Sequence, residues 1–325
     1  MFSFSVEKTS EDAQFYKTTY WDLIVIGGGP AGLNGALYAK RKGLNVGVIS
    51  KEIGGQLHNT STVDNYLGFQ YIEGKDLSHQ FLSHVNSLEI PVLKNVTINQ
   101  IHHINPHFEL TLSNGKIIKS KTVLIATGGA PRKLSVPGEK EFSNKGVSYC
   151  TTCDAPFFKD KHVIVAGGGN SAAEAVLDLV PWAKKITVVH RSQWRADQIL
   201  LDKHQSIENL DVFLETQILS VLGKDHMEAI EVLDKKTMEK RVIDAEGLFI
   251  EIGNIPNNHL VKHLVALNDA GEIIVDSNQM TSLPGMFAAG DVTEQPYKQI
   301  IISAAEGAKA ALAISQYLNH TYKGE

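Results

Sequence analysis

Apolar residues fall along this chain in short dense runs rather than in long periodic stripes. Leu23-Ile-Val-Ile26 is one such run. Gly27-Gly-Gly29 ends it, a helix-patterned stretch covers Leu33–Lys42, and a second run covers Asn45–Ser50. The succession returns at Val163-Ile-Val-Ala166, Gly167-Gly-Gly169, Ala172–Val180 and Lys185–His190. Strand, glycine turn, helix and strand make a βαβ unit, and the preferred hand of its crossover sets the strands parallel. Two such units 140 positions apart, from Gly27 to Gly167, predict an α/β fold with two dinucleotide-type domains. Between them, Thr97–Ile118 alternates apolar and polar residues around an Asn114-Gly115 turn, the pattern of a β-meander. Val123–Ala130 and Gly247–Gly253 are apolar runs that end in glycine turns shortly before prolines. They predict where the chain leaves one domain and returns to it. Ile300–Tyr317 is alanine-rich and helix-periodic.

Composition narrows the function classes. The 325 residues are 43% hydrophobic and 21% charged, which is ordinary globular usage. A net charge of −5 gives no electrostatic case for nucleic acid or an anionic membrane as partner. The longest uncharged stretch near the start, Leu23–Ala39, holds five glycines and Pro30 and does not read as a spanning helix. The first twenty residues carry Glu7, Lys8, Glu11, Asp12 and Lys17 without an apolar run. They read as an N-terminal extension of a cytoplasmic protein rather than as an export signal.

The only two cysteines stand three apart, as Cys150-Thr-Thr-Cys153. That spacing leaves a redox dithiol, half of a metal site or inert thiols open. A structural zinc site needs four ligands, and no second pair exists; His259 and His263 lie over a hundred residues on, so no metal is expected.

Gly27-x-Gly29-x-x-Gly32, with Pro30 and Ala31 inside it, follows a strand and opens a helix, the context in which this motif cradles a pyrophosphate. Ser50 and Lys51 occupy the usual place of a ribose-binding acid, and Glu52 is the nearest carboxylate. Gly167-x-Gly169-x-x-Ala172, with Asn170 and Ser171 inside it, is a second cradle. After its second strand stand His190, Arg191 and Arg195. Guanidiniums there suit a 2′-phosphate, which they grip bidentately. The plain alternatives are a ligand-free glycine turn and a solvated basic strand end.

Taken in order, these motifs resemble the low-molecular-weight thioredoxin reductase family, and equally the flavoprotein part of the alkyl hydroperoxide reductase F subunit. The resemblance runs from about Trp21 to Leu318. It rests on both cradles, Gly54-Gly55-Gln56-Leu57, Val63-Asp-Asn65, Ala126-Thr-Gly128, Cys150-x-x-Cys153-Asp154, His190–Arg195, Gly290-Asp291 and Tyr297-Lys-Gln299. It implies a split FAD-binding domain, 1–127 plus 251–325, with 1–20 as extension. An NADPH-binding domain, 128–250, would be inserted in it and carry the dithiol. Gly55, Gln56, Asn65, Gly128, Gly290 and Asp291 would join Glu52 and the first cradle around FAD. Lys298, Gln299 and Ile300 would lie beside the flavin ring. Cys153 would face the flavin, Cys150 would attack the disulfide of thioredoxin or a thioredoxin-like protein, and Asp154 would move the thiol proton. Asp154 also suits a helix N-cap before Ala155-Pro156. The family works as homodimers, with one domain rotating against the other. Where the family has a second arginine after the histidine, Ser192 stands here, so NADPH is implied less firmly over NADH. Rival readings are another donor such as ferredoxin, a peroxiredoxin system as acceptor, and a nucleotide-sensing redox switch.

Overall fold

A computed structural model describes residues 15–60 and 62–322. Most of the expected N-terminal extension, residues 1–14, lies outside these. The chain divides into two compact units. One runs to Ala130 and resumes at Ile255; the other is Pro131–Asn254. The crossings lie a few residues beyond the glycine turns that mark them in the sequence.

The split unit opens with β1 (Tyr20–Gly28), α1 (Pro30–Arg41) and β2 (Val46–Ile53). There follow α2 (Gly74–Ser87), β3 (Val92–Lys94), β4 (Ile98–Ile104), β5 (His107–Leu112) and β6 (Ile117–Ile125). The chain leaves through β7 (Gly129–Pro131). The inserted unit contains β8 (Val147–Ser148), α3 (Thr151–Asp154), β9 (His162–Ala166), α4 (Asn170–Leu179) and β10 (Lys185–Val189). It continues with α5 (Gln198–His204), β11 (Leu210–Phe213), β12 (Thr216–Gly223), β13 (Met227–Asp234), β14 (Lys240–Asp244) and β15 (Gly247–Ile250). After β16 (Asn254–Pro256) the split unit is completed by β17 (Met286–Ala288) and α6 (Ile300–Thr321).

In the split unit β1 lies between β2 and β6, parallel to both. β6 serves two neighbours along its other edge. Its first half pairs antiparallel with β5, and Val123–Ile125 pair parallel with β17. Alternation along β1 then separates two cores. Leu23 and Val25 pack with Ala31, Leu33 and Ala36 of α1 and with Ala310, Ala311 and Ile314 of α6. Ile24 and Ile26 pack with Ile101, Phe108 and Leu110 of the meander. Asn34 ties the two helices by donating to the Ala304 carbonyl at 2.7 Å. Fully burying one such branched side chain contributes about 1.5–3 kcal/mol.

The inserted unit repeats the plan. β11, β10, β9, β15 and β8 form a wholly parallel sheet. Val163 and Val165 face α4, while Ile164 and Ala166 face the antiparallel strands β12–β14. The fold is therefore α/β, two Rossmann-like domains each with a β-meander, the second inserted in the first. His102 and His103 lie within β4, and His103 stacks on Phe108 at 4.7 Å.

Candidate functional site

The first cradle sits at the C-terminal end of β1, where parallel sheets leave a ligand crevice. Gly27 has φ 118°, and a Cβ there would collide with the Ala126 carbonyl. Gly29 is the extended N-cap of α1; no side chain caps its first amides, Pro30 follows, and the first turn holds no acid. The free N–H groups and the helix dipole thus face an open mouth. A Cβ on Gly29 would meet no atom within 4 Å, so a phosphate has room there.

Loops from later elements close around this mouth. The Gly54 amide donates to Gly28 at 2.8 Å, and an added Cβ on Gly55 would lie 3.7 Å from Gly29 Cα. Gln56 donates to the Gly129 carbonyl, next to Gly128. Glu52 is exposed near the end of β2. Asn65 and Gln299, far apart in sequence, meet at 3.3 Å. Ile300 packs against Leu57, Val63 and Leu77. Asp291 accepts from Ser303 at 3.0 Å. Burial raises its carboxyl above the ordinary range, opposed by that bond and by Lys298. Lys298 itself is spoken for: its Nζ donates to the Thr293 carbonyl at 2.6 Å and pairs with Glu272 at 2.9 Å. Glu306 holds the Gly290 turn, accepting its amide at 2.7 Å and the Gln295 side chain at 2.9 Å. No motif flagged Glu306; its value lies in a contact sixteen residues back. An uncapped helix start, an open glycine mouth and polar groups on the loops around it fit the pyrophosphate and ribityl parts of FAD.

The inserted unit holds the dithiol. Cys150 and Cys153 form a disulfide, Cα–Cα 5.3 Å, and Cys150 is the N-cap of α3. Ser148, buried, donates to Asp154 Oδ2 at 2.6 Å and accepts the Cys150 amide at 3.1 Å. Asp154 stands at the N-cap position of the turn Ala155–Phe158, as expected, but its side chain makes no capping bond there and meets Ser148 instead. Thr151 donates to Glu251 through its hydroxyl at 2.7 Å and its amide at 3.3 Å. Ser148 and Glu251 were invisible as site residues in the sequence.

The second cradle is built like the first. Gly169 is an extended, uncapped N-cap of α4, and a Cβ on it would meet nothing within 4 Å. Ala172 behind it is buried, and Gly167 fits closely against the Glu251 carbonyl. Ser171 in the first turn is exposed. The basic segment folds back over this turn. The His190 ring occupies the space a side chain at Gly168 would need, and the Arg195 amide donates to Gly168 at 2.7 Å. Burial lowers the His190 pKa, helped by the charges of Arg195 and Arg191. Ser192, in place of the family's arginine, is hydrogen-bonded to His190 Nε2 at 3.0 Å. Asn170 is tied to Asp197 by two bonds, of 2.8 and 2.9 Å. Arg191 and Arg195 are exposed, and Lys235 joins them, its Nζ 3.3 Å from the Arg191 carbonyl. The arrangement fits a dinucleotide with an anionic group at its ribose end.

Among the described residues no group of three or more His, Cys, Asp or Glu is set to hold a metal ion, and no helix is long and apolar enough to cross a membrane. Residues 21–309 match the family model described as pyridine nucleotide-disulphide oxidoreductase. The F subunit of alkyl hydroperoxide reductase in Staphylococcus aureus is 39% identical over 311 residues, covering 95% of this chain and 61% of that protein. The chain thus spans about three fifths of the length of the curated relatives it matches. Thioredoxin reductase of Streptococcus pyogenes superposes with a TM-score of 0.87 at 34% identity, covering 93% of this chain and 99% of that one. Thioredoxin reductase of Giardia duodenalis gives 0.87 at 28% identity, covering 93% and 99%. The chain belongs to the pyridine nucleotide-disulphide oxidoreductase family.

Proposed function

We propose that this chain is an FAD-containing, NADPH-dependent disulfide reductase that passes electrons through Cys150 and Cys153 to the disulfide of thioredoxin or a thioredoxin-like protein. It would work in the cytoplasm as a homodimer. The observation that carries this reading is the disulfide on α3, in the same unit as a second, uncapped nucleotide cradle. The first cradle, with Gly27, Gly29, Pro30, Ala31 and Gly32, would bind the FAD pyrophosphate. Glu52, Gly55, Gln56, Asn65, Gly128, Gly290, Asp291, Gln299 and Ile300 would surround the rest. Lys298 acts through Asp291, whose charge it favours. The second cradle, from Gly167 to Ala172, would bind NADPH, with Arg191 and Arg195 on the 2′-phosphate.

When bound, FAD would supply the relay between a hydride donor and a disulfide, which do not react directly at a useful rate. The chain's own residues do the rest. Once reduced, a thiolate of the pair attacks the partner's disulfide and forms a mixed disulfide. The second cysteine then displaces the partner as a dithiol, and the Cys150–Cys153 bond forms again. Asp154, steadied by Ser148, holds or moves the thiol proton beside the pair.

Anaerobic titration with NADPH and with NADH, followed by oxidised thioredoxin, tests this reading. Flavin bleaching by NADPH and its recovery on adding thioredoxin are expected. A flavin that neither nucleotide bleaches would overturn it. A peroxiredoxin system as acceptor is a second reading, favoured by the 39% identity to the alkyl hydroperoxide reductase protein.

A further inference from the structure

We infer that Glu251 is a positioning residue for the Cys150–Cys153 pair: its carboxylate anchors the helix carrying the pair, and its charge state governs how readily the reduced cysteines ionise. The inference rests on reading those cysteines as a redox pair.

The sheet register puts Glu251 where it is. β15 and β8 pair parallel through Leu248–Val147 and Phe249–Ser148, so the residues following them leave the sheet side by side. Glu251 follows β15 directly, and Cys150 and Thr151 follow β8. The Glu251 amide donates to Ala166 at 2.8 Å, which fixes its backbone to β9. Its Oε1 then accepts both the amide and the hydroxyl of Thr151, at 3.3 and 2.7 Å, and Thr151 is 4% exposed. Of the two residues between the cysteines, Thr151 is thus held by a carboxylate.

The remaining ionisable groups sharpen the effect. Burial raises the Glu251 carboxyl to about 7; the Thr151 bonds oppose this, and the charges of Asp178 and Glu174 on α4 add to it. Asp154, on α3, is turned to Ser148. Near neutrality Glu251 therefore exists in both forms. Its anion, held against the residue next to Cys150, disfavours a thiolate there; its neutral form does not. A nearby like charge shifts an ionisation on the order of tenfold or more. The thiolate is the reactive form, so thiol reactivity reads the effect directly.

The test uses the full flavin-bound protein, reduced with dithiothreitol and freed of it, and the rate of alkylation by iodoacetamide at pH 6 and pH 8. Glu251→Gln keeps an acceptor for Thr151 and removes the charge. It is expected to react about tenfold faster than the parent at pH 8 and within twofold of it at pH 6. Equal rates at pH 8, or the same excess at both pH values, would overturn the inference. Thr151→Val removes a bond that stabilises the anion, so the pH at which the parent rate lags is expected to move upward. An unmoved profile counts against the inference even if Glu251→Gln folds poorly. Alkylation needs no nucleotide and no partner. If the proposed reductase activity fails, this profile stands; if the profile fails, the activity still can hold.

Discussion

At Glu251 burial outweighs the two Thr151 hydrogen bonds, and the carboxyl rises from 4.5 to about 7. The folded chain therefore holds this proton over a pH range where the unfolded chain has lost it. The stabilisation is full below pH 4.5 and is lost as pH rises through about 7. The difference in unfolding free energy between Glu251→Gln and the parent is expected to grow by about 3 kcal/mol from pH 4.5 to pH 8, read from denaturant melts. A flat difference would mean that the carboxyl titrates normally. Ser148 offers a second test at this scale. It bridges the Cys150 amide and the Asp154 carboxylate, and a hydrogen bond to a charged group contributes about 1.5–3 kcal/mol. Ser148→Ala is expected to lower kcat about tenfold with an unchanged circular dichroism spectrum; full activity would free Asp154 of this support. Cys150, Cys153 and Asp154 are legible in the sequence because they are neighbours in it. Glu251 is not, because its meeting with Thr151 spans 100 positions and depends on strand register. Lys235 and Glu306 are hidden for the same reason.

At the scale of elements, the two cradles are legible because a glycine turn between strand and helix is a local signal. Their bounds are less so. The apolar pattern marks Leu33 as the first buried periodic position beyond the turn, yet α1 begins at Pro30, because cap and proline set a helix start while apolar spacing reports its buried face. The alternation over Thr97–Ile118 does find β4, with the exposed His102 and His103 inside it, because a period of two is as local a signal as a glycine turn. The glycines of the first cradle separate folding from binding. Gly27→Ala combines positive φ with a collision at Ala126, and about 1–3 kcal/mol of stability is expected to be lost. Gly29→Ala meets no protein atom, so the melting temperature of flavin-free protein is expected to stay put. Its methyl would instead narrow the mouth of the cradle, and flavin affinity, followed by absorbance near 450 nm, is expected to fall about tenfold or more. Unchanged affinity in Gly29→Ala would argue against a pyrophosphate at this turn.

For the whole molecule, the proposed electron path begins in the inserted unit, enters the split unit and returns, because the nucleotide cradle and the dithiol share one unit and the flavin cradle lies in the other. The chain passes between units at Ala130–Pro131 and Asn254–Ile255. Each unit has its own sheet and buried core, the condition for moving as a body. On the proposed path the nicotinamide and the disulfide, both carried by the inserted unit, must each reach a flavin carried by the split unit. Turnover is therefore expected to include a change of arrangement between the units, with the chain turning near Gly128 and Gly253. A photocleavable amine crosslinker that locks the units is expected to cut turnover at least about tenfold while flavin absorbance persists, with recovery on illumination. The lock holds one arrangement, so one half-reaction alone should survive it: either bleaching of the flavin by NADPH, or its recovery on adding oxidised protein substrate. A locked protein that performs both at the parent rates would show that electrons cross without movement, and the two crossings would then be only covalent links.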